Sequence, residues 1–396
     1  MGSVVSNAPL VPSASHIAVQ PDLRVRVYPG FDELPNTYAG IFEQSASLDF
    51  HMTLPWFRNF VRTALDTGDR VLLYGVETSQ PAPKAIALLP MKHRAAYALW
   101  EPRVLSSLTN YYTCFFGPVL ADGCDTSACI RQIASAIRTD KRGWDIVRIA
   151  PMGCESSVLS NMRQAFETAG FATQEFFSFG NWYLPVEAHS FQDYLSGRPS
   201  VLQNTLRRKS KKFEQTGRGR IEIITSCGGI EKAIGDYVKV YNASWKVPEP
   251  YPNFVTGLIS TCAENGWLRL GLAYIDDVPI ASQLWIVHQG VASIYKLAYD
   301  ERFAHFSVGT ILTARLMQHA LDVDHVREVD YLSGDDDYKK TWMSHRRERH
   351  GFLAFNLRTL KGAVSVARHI GGRMLRRGYQ KMMRRPKVDA STAAIS

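Results

Sequence analysis

Residues 334–342 read GDDDYKKTW: three consecutive aspartates, Tyr338, two lysines and, after one threonine, Trp342. Two readings of so dense a cluster are open. In the first it is a solvated, salt-bridged turn, with Lys339 paired to Asp335–Asp337 and Trp342 filling the core. In the second it rims a site that handles a charged reaction. A further stretch, HFSVGT from His305 to Thr310, opens a helix whose Ile311, Leu312 and Leu316 follow helical spacing, with Ser307 at the N-cap position. A first turn nearly bare of side chains leaves backbone N–H groups and a positive dipole end open to an anion. Gly309 there allows close approach by a bulky phosphate.

The elements that must position these residues belong to a chain of 396 residues, 45% hydrophobic and 21% charged, which is globular and long enough for two domains. The net charge of +9 is unevenly placed: from Asn356 onward lie ten of the 46 basic and one of the 37 acidic residues, leaving 36 of each before it. A neutral body lacks the broad basic surface that RNA or DNA needs, so no specific nucleic acid is expected. Six cysteines show no CxxC pair and no metal-ligand spacing with histidine, so no metal site is expected and a reducing cytoplasm fits. No span is apolar for long enough to cross a bilayer. Residues 1–21 lack the features of a signal peptide and read as a disordered leader, although MGSVVS matches a myristoylation pattern.

An internal repeat organises the rest. RVRVY (24–28) and RIEII (220–224) are alternating strands, each followed by a helical stretch, 32–45 or 229–244. A second helix opens near Phe57 or Phe254, then come Gly68 or Gly266 and the strand RVLLYGVE or LRLGLAYI. Another strand follows in each half, KAIALLPM or PIASQLWIV. The pattern predicts two copies of one α/β unit, 22–185 and 186–357. In the second copy, REVDYL is a strand leading into the acidic turn and GFLAFNL closes the unit.

Residues 186–357 resemble the acyltransferase domain of the GNAT superfamily, in the BioF-like and CelD-like branch tied to cellulose and exopolysaccharide genes. The residues that carry the resemblance are LRRKSKKFE (206–214), YNASWK (241–246), GWLRL (266–270), PIASQLW (279–285), SVGT (307–310) and GDDDYKKTW, with Val308 where the branch usually has Pro. SLTNYYTCFFGP (107–118) resembles the branch's first domain. Fem-type aminoacyltransferases are more distantly similar, sharing a doubled architecture and an aromatic-Lys pair matching Tyr338–Lys339. The resemblance implies tandem GNAT-like domains of α+β type, each a mixed central sheet flanked by helices. It implies acetyl-CoA or another acyl-CoA as co-substrate, its pyrophosphate held at His305, Ser307, Val308, Gly309 and Thr310. Acyl transfer passes through an oxyanion, for which Lys339 is the implied cation. Asp330 and Asp335 are candidates to take the acceptor's proton, and Tyr338 to return one to the leaving thiolate.

Three further features bear on the acceptor. Arg208, Lys211 and Lys212 share one face of a basic helix that could hold a nucleotide phosphate or a polyanionic acceptor, or be merely solvated. Trp245 is a stacking platform for the acceptor or a core residue, and Trp342 shares that ambiguity. The tail, 358–396, sets its bases around an apolar stripe, as a peripheral helix on an anionic inner membrane would, or a helix packed on the first domain. Three functions follow: an acyl-CoA-dependent N- or O-acyltransferase acting on a sugar-linked or polysaccharide-precursor acceptor; a Fem-type enzyme drawing on aminoacyl-tRNA; or a non-catalytic accessory protein of a polysaccharide synthase.

Overall fold

In the computed structural model, residues 22–369 are described apart from 47–48, 80–81 and 97. The leader and most of the tail therefore lie outside the described residues. The first unit runs β1 (Leu23–Tyr28), α1 (Ala39–Ala46), α2 (Leu54–Thr63), β2 (Asp69–Thr78), β3 (Ala85–Arg94), β4 (Val104–Ser107), β5 (Val119–Leu120), α3 (Thr126–Thr139), β6 (Ile146–Gly153), α4 (Val158–Thr168) and β7 (Phe171–Pro185). Two linking helices follow, α5 (Phe191–Ser196) and α6 (Ser200–Glu214). The second unit runs β8 (Gly219–Ile224), α7 (Ile230–Asn242), α8 (Pro252–Glu264), β9 (Leu268–Ile275), β10 (Val278–His288), β11 (Val291–Tyr299), α9 (Val308–Asp322), β12 (Glu328–Asp330), α10 (Lys339–Trp342) and β13 (His345–Asn356). The same order of elements recurs. The helix expected over 32–45 is shorter, because Pro35 precedes a 3-10 turn at Asn36–Tyr38 and the α-helix begins only at Ala39.

All strands join one mixed sheet of 13, in the order β1-β2-β3-β4-β6-β13-β7-β12-β11-β10-β9-β8, with β5 on the edge of β3. The units exchange their last strands. β13, the end of the second unit, lies between β6 and β7 of the first, while β7 pairs on its other side with β12 of the second. Helices cover both faces, so central strands are apolar on both sides rather than alternating. In β10, Leu284 and Ile286 join the core shared with the first unit, while Ile280, Ala281 and Trp285 face α9.

The units also meet through α2 and α8. Thr53 caps α2, its Oγ1 accepting from Trp56 N, and a proline opens each helix in its first turn. Phe254 on α8 is fully buried, edge-on to Trp56 at 5.4 Å and stacked on Tyr112 at 4.1 Å between centroids. Asn59 Nδ2 donates to the Phe254 carbonyl at 3.2 Å. Phe254→Ala is therefore expected to cost about 3–5 kcal/mol, by cavity formation and lost ring contacts. Urea unfolding would measure it, and a loss below about 1 kcal/mol would mean that this contact does not join the units.

Candidate functional site

β11 and β12 run parallel, but they pair only over Val291–Ser293 and Glu328–Asp330. Beyond that point β11 continues to Tyr299 while the chain leaving β12 turns away, and the strands gape. A cavity of about 350 Å³ sits at the opening, lined by Ile294–Leu297 of β11, Tyr331–Ser333, Asp336, Tyr338 and Lys339 after β12, Trp245 and Lys246 before α8, and Tyr111, Tyr112 and Cys114 of the first unit. The acidic turn therefore does border a site.

Its three aspartates are separately engaged. Asp335 takes both guanidinium nitrogens of Arg346 on β13, at 2.8 and 2.7 Å, and Asp337 takes Lys340 at 2.8 Å. Asp336 stands 3.5 Å from Lys339. Lys339 is buried, and its Nζ donates to the Ser333 carbonyl at 2.5 Å, with those of Gly334 and Tyr331 at 3.4 and 3.5 Å. The turn that presents these carbonyls needs Gly334, whose φ is +105°. The Tyr331 ring lies 5.5 Å from the ammonium, and burial pulls the lysine below its usual pKa. Tyr338, half-exposed and edge-on to Tyr331, is pushed up to about 12 by burial and by Asp336.

The other expected residues divide. Asp330 is buried on the far side of β12, where it accepts from Asn181 Nδ2, the Leu332 amide and Arg347 at 2.5–2.6 Å. It lines a second cavity of about 480 Å³ and not that of Lys339. Asp335, exposed and held low by Arg346, does not line the Lys339 cavity either. Trp342 is a packing anchor: it is buried beside Tyr194, whose hydroxyl donates to its carbonyl at 2.7 Å. Trp245 is no core residue. It is half-exposed on the cavity rim, 4.6 Å from the Tyr299 ring.

Tyr299 in turn reaches the start of α9, where a Cβ on Gly309 would meet it at 3.3 Å. A 3-10 turn at Glu301–Phe306 leads into the helix, with Lys209 of α6 donating to the His305 carbonyl at 2.7 Å. Ser307 occupies the N-cap position, but in a left-handed conformation (φ 54°) with no side-chain capping bond. Val308 is buried beneath, and the backbone N–H of Thr310 turns back to the Ser307 carbonyl at 3.0 Å. Arg208 and Lys212 are exposed on α6 alongside, Lys212 over the Phe306 ring at 5.4 Å, and neither lines the cavity.

The first unit treats its equivalent gap differently. β4 and β6 pair in parallel over Val104–Ser106 and Ile146–Arg148. Past that point Ser107 and Thr109 hydroxyls donate to the Ala150 carbonyl at 2.8 and 3.1 Å, and the Phe116 amide to the Pro151 carbonyl at 2.7 Å. These bonds close the gap beside the strand ends, and the loop's next residues, Phe115–Pro118, line the second cavity with Met152 and Gly153. α3, which follows, is capped by the Asp125 carboxylate, accepting from Ala128 N at 2.9 Å, and a carboxylate there opposes an anion. The tip of the same loop supplies Tyr111 and Tyr112 to the second unit's cavity, anchored by Tyr295 donating to the Tyr112 carbonyl at 3.0 Å.

Two cavity lysines, and the carboxylate that pairs with one of them, escaped the sequence reading. Lys296 on β11 and Glu249 form an ion pair at 2.7 Å, with the hydroxyls of Tyr111 and Tyr112 donating to the same carboxylate. Lys246 adjoins Trp245 in YNASWK, where the aromatic neighbour drew the attention. Among the described residues no group of histidine, cysteine or carboxylate side chains could hold a metal ion, and no helix is long and apolar enough to cross a membrane.

Residues 200–340 match the family model of the acetyltransferase (GNAT) domain, a span that includes the α9 start and Lys339. No curated protein matches the chain. Among solved structures, FemX is similar at a TM-score of 0.56 and 11% identity, over 82% of this chain and 96% of its own. A tandem GNAT protein from the clavulanic acid biosynthesis pathway covers 84% of this chain and 98% of itself at 11% identity and a TM-score of 0.48. L-PGS from Bacillus licheniformis covers 68% and 81% at 12% identity and a TM-score of 0.44. The fold is two like α/β units arranged as in FemX, and residues 200–340 of the chain match the GNAT-domain model.

If an acyl donor's phosphates meet the first turn of α9, Gly309→Val is expected to weaken acetyl-CoA binding at least tenfold by crowding both the amides and Tyr299. Titration calorimetry would measure it, with circular dichroism checking the fold. Unchanged affinity in a folded variant would place the donor elsewhere.

Proposed function

We propose that the chain is an acyltransferase that moves an acyl group from a coenzyme A thioester to a nucleophile seated in the Lys339 cavity, a sugar or polysaccharide precursor being the acceptor class. One observation carries this reading. A lysine ammonium is buried at the mouth of the gap between β11 and β12, within the segment that the GNAT model matches. The donor's pyrophosphate would lie on the amides of Val308 and Gly309, since those of Ser307 and Thr310 already donate to the Ala304 and Ser307 carbonyls, with Arg208 and Lys212 nearby as counter-charges. Its thioester would then enter the gap past Tyr299.

As the nucleophile attacks, charge collects on the thioester oxygen. Lys339, oriented by carbonyls that only accept, has a proton to offer it, and such a donor is worth about 3 kcal/mol. Tyr338 keeps its proton at neutral pH and stands ready to give it to the departing thiolate. The place in cellulose or exopolysaccharide assembly rests on the resemblance of motifs such as PIASQLW and SVGT. An aminoacyl-tRNA donor is the second reading, favoured by the likeness to FemX across both units and by the bases of α6.

Thermal unfolding with acetyl-CoA, longer acyl-CoAs and charged tRNA tests the donor. At 100 times its Kd the true donor adds about 2.7 kcal/mol. Stabilisation by charged tRNA alone would overturn the coenzyme A reading. Lys339→Ala is expected to lose at least 100-fold in transfer rate while the donor still stabilises the protein. A variant with most of its kcat would remove Lys339 from the chemistry.

A further inference from the structure

The acceptor's proton needs somewhere to go, and neither Asp330 nor Asp335 lines the cavity. We propose that Lys246 is the general base of the reaction, its amine taking the proton from the acceptor's attacking nitrogen or oxygen. This rests on the acyltransferase reading of the cavity.

The cavity's charged groups leave Lys246 in a position unlike the rest. Of the two other lysines, Lys296 is paired with Glu249 at 2.7 Å, and Lys339 is held by the Ser333 carbonyl and Asp336. Both carboxylates are thereby occupied. Lys246 has only ring faces beside its ammonium, Trp245 at 5.9 Å and Tyr241 at 6.0 Å, with no hydrogen-bond acceptor or carboxylate partner for its Nζ among the described residues. The phenols facing it cannot compete as bases. Tyr111, Tyr112, Tyr295 and Tyr331 are all raised by burial, and Tyr338 is likewise raised. Cys114, the remaining titratable group on the wall, lies on the first unit's loop.

Burial and the nearby charges of Lys296 and Lys339 lower Lys246 to about 8, although Glu249 pulls the other way. A lysine poised there holds a usable fraction of free amine near neutral pH and is a matched proton acceptor. The step balances. A bond forms from the acceptor's nitrogen or oxygen to the thioester carbon, its proton passes to Lys246, and the carbon–sulfur bond breaks. The thiolate takes its proton from Tyr338, which regains one from solvent, and the Lys246 ammonium returns the acceptor's proton to solvent.

Two measurements test this. Trace acetic anhydride labelling from pH 6 to 11, read residue by residue by mass spectrometry, gives the titration of Lys246 whether or not turnover is seen. It should titrate near 8 in the wild-type protein and move upward in Lys339→Gln. Titration at the ordinary lysine value, unmoved by Lys339→Gln, would overturn the proposal. With acetyl-CoA and glucose, whose hydroxyls do not titrate in this range, kcat/KM should rise with pH through about 8, because the free amine of Lys246 is the active form. Lys246→Gln and Lys246→Arg should each lose about 100-fold or more and lose that limb, with acetyl-CoA affinity kept and added methylamine restoring part of the rate to Lys246→Gln. Variants that keep the rate and the limb would overturn it. Failure of the wild-type protein to bind acyl-CoA would instead count against the acyltransferase reading, leaving the labelling result intact.

Discussion

Everything in this molecule depends on the antiparallel ladder between β7 and β13. It pairs His345–Asn356 with residues from Tyr183 back to Phe171, at the middle of the sheet. Each strand closes the unit from which the other came. The two halves therefore cannot separate without breaking the longest ladder in the described sheet. The ladder also carries charge: Arg347 on β13 reaches Glu328 and Asp330 of β12, and Asn181 of β7. A buried carboxylate so paired, as Asp330 is, is expensive to strip of its partner, so β12 is held in place at the point where its neighbour β11 starts to diverge. The gap that makes a site is kept open by what surrounds it.

Within that frame one structural plan serves two purposes. In the second unit the gap between parallel strands is open, the following helix begins without a side-chain cap, and a buried lysine faces the opening. In the first unit, Ser107, Thr109 and Phe116 close the gap and Asp125 caps the helix. The closing loop is not inert, since its tyrosines become one wall of the neighbour's cavity. The motif SLTNYYTCFFGP thus bonds across one gap and lines the cavity at the other.

Much of this was legible in the sequence. Alternating strands and matched glycines announced a repeat, and SVGT marked a helix start, although Ser307, read as its N-cap, makes no side-chain capping bond. What stayed hidden was non-local. No pattern within 345–356 says that it will insert between strands of the other unit, because the apolar run would suit any central position. The acidic triplet was ambiguous because Asp335 finds its partner in Arg346 on β13, beyond the turn itself. Trp245 and Trp342 look alike as letters, yet one lies on a rim and the other beneath Tyr194. Lys246 was invisible as a chemical group, since its lowered proton affinity comes from burial in the folded cavity and from Lys296 and Lys339, lysines 50 and 93 positions away.

The proposed donor site is single and lies at the gap between β11 and β12. A crystal structure of the full chain with a non-hydrolysable acyl-CoA tests it most directly. One ligand per chain is expected, its pyrophosphate on the amides of Val308 and Gly309 and its acyl group beside Lys339. Ligand between β4 and β6, or bound away from α9, would contradict it.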